Sequence, residues 1–94
     1  MTYTVREMAE LAGVSPRTLR YYDAIGLLPA TRRERNNDER TYEPGALYRL
    51  QQILFYRELD VRLEEIRAIL DDPSFDVLQA LRMQKRALQQ RRRR

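Results

Sequence analysis

Apolar side chains recur at helical spacing along most of this chain, and the polar residues between them supply starts and stops. Val5, Met8, Ala9 and Ala12 mark one face of a short helix. Thr4 and Glu7 form a capping-box pair at its start, with Tyr3 and Met8 in the two staple positions. Gly13 follows where a left-handed cap is easiest for glycine. Ser15 then offers an N-cap with Pro16 at the first helical position, so a second helix opens after a tight turn and runs to Gly26. Two short helices joined this closely make a helix-turn-helix. Pro44 opens a third helix, PGALYRLQQILFYREL, in which Leu47, Leu50 and Leu54 share a stripe with Ile53 beside it. It is the most apolar element and the expected spine of the core. A fourth helix follows in RLEEIRAIL, where Leu63, Ile66, Ile69 and Leu70 recur before a stop at Asp71, Asp72 and Pro73.

From about Phe75 the pattern changes. Leu78, Leu81 and Leu88 fall at coiled-coil seam spacing with polar Lys85 at the remaining seam position, and Val77, Leu81, Gln84 and Leu88 form a neighbouring stripe. A terminal helix extending past a small core has little of its own chain to pack on, so a partner helix is implied. Folding back onto its own domain accounts for Phe75 to Leu81 but leaves out Leu88. The closing RRRR suits a solvated helical face, a nucleic-acid tail or the cut end of a longer helix, and the absence of a cap or breaker favours the cut end.

Residues 29–43, PATRRERNNDERTYE, show no apolar periodicity. Propensity alone makes them a loop, yet a structureless stretch of that length is uncommon in so small a domain. Asn36, Asn37 and Asp38 suit a turn between two arms, TRRER and ERTY. Such a polar, Arg-rich hairpin has low strand preference and buries little, but it suits a phosphate backbone. Both the hairpin and an open loop satisfy the pattern.

Composition narrows the function. The 94 residues make one domain with a single modest core, and they include neither Cys nor His. Thiol or Ser/His acyl transfer and zinc chemistry therefore lack their usual groups. The acidic pairs Glu64–Glu65 and Asp71–Asp72 sit at the two ends of the fourth helix, where acids act as caps and helical neighbours do not converge on one atom. An enzyme is not expected. Charges at Arg6, Glu7 and Glu10 interrupt any apolar leader, so a soluble, cytoplasmic protein without a membrane span is expected. The net charge of +4 is uneven: residues 1–57 hold nine Arg and seven acids, whereas residues 79–94 hold seven bases and no acid. Attraction to nucleic acid must therefore be argued from where the arginines of the first half point.

At about 100° per residue, Arg17, Arg20, Tyr21 and Ala24 gather on one face of the second helix, and Leu19 and Tyr22 point the opposite way. Tyr22 suits burial beside Leu19 and Ile25, which leaves Tyr21 with the arginines. Cations on the amino-terminal half of a second helix, with a small residue allowing close approach, fit a major groove. A solvated face of a core helix has the same pattern.

These elements, in this order and with these residues, resemble the MerR family of transcription regulators. The resemblance rests on YTVREMAELAGVSPRTLRYYDAIGLL, on Arg40 and Tyr42 as the end of a wing signature, and on LYRLQQILFYREL and LEEIRAIL, while DDPSFD is similar to the TipA-type drug- or peptide-sensing subgroup. It implies a mainly α fold: a winged helix-turn-helix with a small β-hairpin wing, two further helices and a long C-terminal dimerisation helix. Residues 1–72 become the DNA-binding domain and 73–94 the start of an antiparallel coiled-coil helix. The implied DNA-binding set is Ser15, Arg17, Arg20, Tyr21, Arg33, Arg40, Tyr42 and Arg62, and the implied dimerisation set is Leu78, Leu81, Lys85 and Leu88. The implied partners are double-stranded promoter DNA, a second copy of the chain, and RNA polymerase at an overlong promoter spacer that the dimer distorts. An organic or peptide effector would act through a further C-terminal domain, and no cofactor is implied. Departures from the family pattern fall in the wing, where Asn37, Asp38, Glu39 and Arg40 replace an Asn-Gly-Tyr-Arg turn, and at Asp60 and Arg62, which replace a glycine and a Ser or Thr cap. The alternative readings are a protein-interaction module and an architectural, nucleoid-type DNA binder.

Overall fold

The computed structural model describes residues 1–33 and 40–92, without the side chains of residues 32, 33, 77, 91 and 92. The elements are β1 (Tyr3–Thr4), α1 (Val5–Ala12), α2 (Pro16–Ala24), β2 (Arg32–Arg33), β3 (Arg40–Tyr42), α3 (Pro44–Glu58), α4 (Leu63–Leu70) and α5 (Val77–Arg92).

Local chemistry sets the boundaries. Thr4 N–H donates to Glu7 Oε1 at 3.0 Å and Glu7 N–H to Thr4 Oγ1 at 3.2 Å, which completes the capping box of α1. Gly13 closes α1 at φ 70°, a conformation that costs glycine little. The Ser15 hydroxyl accepts from Thr18 N–H at 3.1 Å and caps α2. This helix ends at Ala24, short of Gly26, because the chain turns there at φ 76° and both Leu27 and Leu28 N–H groups bond back to the Tyr22 carbonyl. Asp60 adopts φ 59° between α3 and α4, a left-handed position that Asp accepts better than most residues. The last helix begins at Val77, later than periodicity suggests: Phe75 packs against the core, and the Asp76 carboxylate caps the helix by accepting from Gln79 N–H at 3.1 Å.

The arms on either side of residues 34–39 do pair, so the hairpin reading holds over an open loop, with Arg33 opposite Arg40; the turn itself lies outside the described residues. A third strand joins them. In the order β1-β3-β2, the first strand pairs antiparallel to β3 with Tyr3 opposite Tyr42 and Thr4 opposite Thr41. The central strand thus sends Tyr42 into the core beside Met8, Leu19, Leu28, Leu50, Ile53 and Ile66, all with at most 1% exposure. Within α3, Leu50 and Ile53 are fully buried and Leu47 and Leu54 only partly. Truncating such a residue to Ala costs about 2–5 kcal/mol.

The amino-terminal half of α5 also packs on its own domain. Gln84 meets the fully buried Gln52 of α3, so the folded-back contact reaches beyond Leu81, where the apolar pattern alone would end it.

Candidate nucleic-acid interface

Leu19 and Tyr22 hold α2 on the core, and Arg17, Arg20, Tyr21 and Ala24 lie exposed on its outer face. Tyr21 is 54% exposed, against 7% for Tyr22, although the two rings lie only 6.2 Å apart. Burial raises the Tyr22 phenol above its ordinary 10.0; the Arg57 guanidinium opposes the shift and Tyr21 adds to it. Neither Arg17 nor Arg20 enters an ion pair among the described residues, so both guanidinium groups are available to a ligand.

Three side chains, Asp23, Arg49 and Arg67, fix the carboxyl end of α2. Asp23 is buried, and its carboxylate accepts from Ala30 N–H at 3.1 Å and from Arg40 Nε–H at 2.7 Å, which joins α2 to β3 of the wing. Arg49 Nε–H donates to the Leu27 carbonyl at 2.8 Å while its Nη2 reaches Asp71 at 2.9 Å, tying α2 to the end of α4 through α3. Arg67 Nη1 donates to the Ile25 carbonyl at 3.0 Å. A Cβ at Gly26 would meet that same Nη1 at 3.1 Å, so glycine there serves close approach as well as backbone freedom.

Beside α2 the start of α4 brings further cations. Tyr21, Arg57, Arg62 and Arg67 border a hollow of about 470 Å³, with Glu64 as its acid. Arg62 occupies the N-cap position of α4 without making a side-chain cap bond and is exposed. Arg17, Arg20 and Tyr21 on α2 and Arg62 at the start of α4 are all exposed, and a free guanidinium can serve a phosphate or a guanine edge.

Residues 3–72 match the family described as MerR HTH family regulatory protein. The chain belongs to the MerR family. It is 52% identical to the HTH-type transcriptional regulator SkgA of Caulobacter vibrioides over 86 residues, 92% of this chain and 33% of that protein. With the HTH-type transcriptional activator TipA of Streptomyces coelicolor it shares 48% over 91 residues, 97% of this chain and 36% of the relative. This MerR-family chain thus spans about a third of the length of the curated relatives it matches. Among solved structures, SkgA from Caulobacter crescentus superposes with a TM-score of 0.79 at 47% identity, covering 99% of this chain and 66% of the other. MtaN, the N-terminus of the Bacillus subtilis multidrug transporter activator, gives 0.70 at 44%, with 97% and 85% covered. HiNmlR, a MerR family regulator lacking the sensor domain and bound to promoter DNA, gives 0.63 at 29%, with 97% and 76% covered. The winged helix-turn-helix read from the sequence is the fold of these relatives.

Two members of the implied DNA-binding set of this MerR-family chain turn most or all of their surface away from solvent. Tyr42 is 0% exposed because the central strand points it into the core, which corrects its reading as a DNA contact. Arg40 is 13% exposed on its side chain, and its Nε–H bond to Asp23 ties the wing to α2. Ser15 spends its hydroxyl on Thr18, as a cap. Arg33 lies on β2, and its side chain is outside the described residues. Of the dimerisation set, Leu78 is 62% and Leu88 49% exposed, Lys85 is exposed and Leu81 half-buried. Leu81, Lys85 and Leu88 border a groove against Leu11, Leu54 and Phe55, whereas Leu78 is not among its walls. Sequence reasoning missed Asp23, Arg49 and Arg67, whose partners lie far along the chain. Among the described residues no three His, Cys, Asp or Glu side chains are placed to hold a metal ion, and no helix is long and apolar enough to cross a membrane.

Proposed function

We propose that this region binds an inverted-repeat promoter element as a homodimer, through α2 in the major groove, and regulates transcription by distorting an overlong spacer so that RNA polymerase engages it. The observation that carries this reading is the division of α2: Arg17, Arg20 and Tyr21 are exposed, Tyr21 sharing a hollow with Arg62, while Leu19, Tyr22 and Asp23 hold the opposite side to the core and wing. The likeness to a regulator bound to promoter DNA supports it. The apolar side chains left exposed on α5, Leu78 and Met83, each 62% exposed, support a helical partner. An organic or peptide effector would act through a further C-terminal domain.

Selection from random-sequence duplexes tests the proposal. The chain should enrich inverted repeats, and its affinity should fall steeply with salt, by about 10³–10⁵ between 50 and 200 mM for a complex with 6–10 phosphate contacts. Equal retention of every duplex at a salt concentration where the enriched site binds overturns sequence-specific recognition in favour of an architectural role. No retention at all favours a protein-interaction module.

A further inference from the structure

Gln52 on α3 and Gln84 on α5 exchange two hydrogen bonds across 32 positions of sequence: Gln52 Nε2 donates to Gln84 Oε1 at 3.0 Å, and Gln84 Nε2 donates to Gln52 Oε1 at 2.7 Å. Gln52 has 0% exposure, although the helix around it is apolar. Among the described residues no other side-chain hydrogen bond or ion pair links α5 to the four preceding helices. Beside the pair, Leu54 and Phe55 of α3 and Leu81 and Leu88 of α5 supply the apolar walls of the groove between the two helices. Apolar contacts of that kind are non-directional and tolerate sliding.

The amide pair does not. A slip of one residue moves a helix by about 1.5 Å and turns it by about 100°. Met83 or Lys85 would then stand nearest Gln52, one a weak acceptor and the other an ammonium with no acceptor at all. A slip of a whole turn offers Ala80, Leu81, Ala87 or Leu88, which offer no polar side-chain group. Gln79 and Gln89 are five positions from Gln84, about 140° around the helix. One alignment alone satisfies the buried amide, and an unpaired buried amide is costly.

We propose that Gln52 and Gln84 form a register lock that sets where α5 leaves the DNA-binding unit, and so sets the separation of the two recognition helices in the dimer. This rests on the dimeric reading above. A single buried polar pair that specifies alignment at some cost in stability is the role polar residues take in helical seams.

Paired substitution tests the lock. Gln84→Leu alone strands the Gln52 amide and should lower Tm by several degrees, while Gln52→Leu with Gln84→Leu should return Tm to the wild-type value or above. Spacing preference is then read by selection from duplexes carrying two inverted copies of the half-site the wild-type chain enriches, with the gap varied one base pair at a time. The wild type should enrich one gap. The double variant should spread over neighbouring gaps, its preference for the best one falling about tenfold, with unchanged affinity for an isolated half-site. A double variant that keeps the wild-type preference overturns the lock, as does a Gln84→Leu chain as stable as the wild type. If the wild type enriches no paired half-sites, the dimeric reading fails, and the lock's role in spacing fails with it.

Discussion

Asp23 and Arg20 sit three positions apart on α2 and act in opposite directions: one faces solvent, the other the interior. Replacing Arg20 with Ala should relax sequence preference, costing about 1–3 kcal/mol at the best base position and little elsewhere, as read by competition between single-base variants of the enriched site. Asp23→Ala separates two roles for Arg40 by sign. If Arg40 were itself the DNA contact, deleting the adjacent carboxylate would release a cation and tighten binding. Because the pair fixes the wing, the substitution should instead weaken binding and destabilise the fold by about 3 kcal/mol, the cost of stranding a buried charge. Tyr22 adds a pH effect. Its folded pKa lies above the ordinary 10.0, so its contribution to stability is complete below pH 10 and is lost as pH rises through the folded value. Thermal melts from pH 8 to 11 should show Tyr22→Phe losing less stability at the alkaline end than the wild type. The split between Tyr21 and Tyr22 was legible from helical geometry, because one residue of rotation separates an exposed ring from a buried one. Asp23 was not, since a polar residue on a polar helix gives no sign of an arginine 17 positions later.

The helices were readable because each carries a period, and three also carry a start signal: Thr4 with Glu7, Ser15 with Pro16, and Pro44 ahead of its leucines. A two-residue strand has no period, so β1 was invisible until Tyr3 and Thr4 met Tyr42 and Thr41. The same absence of pattern placed Tyr42 on the wrong side of the wing: a strand as short as RTY does not say which face is inward until the rest of the core is built. Arg62 is a case where element stability and ligand binding diverge. Its N-cap position makes no side-chain cap bond, and it stands beside Tyr21. Arg62→Ser should raise stability by about 1 kcal/mol through a restored cap while weakening binding of the enriched duplex. Chemical denaturation and titration of the same preparation check both signs.

For the whole molecule, the exposed face of α5 is the feature a domain of this size least explains. Leu78 is 62% exposed and makes no wall of the groove that α5 forms with its own domain, so Leu78→Glu should leave helical content unchanged, convert a dimer to a monomer by sedimentation, and weaken paired half-sites far more than single ones. Seam spacing grouped Leu78 with Leu81, Lys85 and Leu88, yet only those last three border the groove with the rest of the chain. The inward face was not legible, because Gln84 lies on an apolar stripe as an apparent interruption until Gln52 is set opposite it. The internal pairing of arginines also bears on solution behaviour. Arg40 and Arg49 each neutralise a carboxylate of their own fold, Asp23 and Asp71. Such cations displace few condensed counterions when a duplex arrives, so the slope of log affinity against log salt should report Arg17, Arg20 and Arg62 and leave those two largely uncounted.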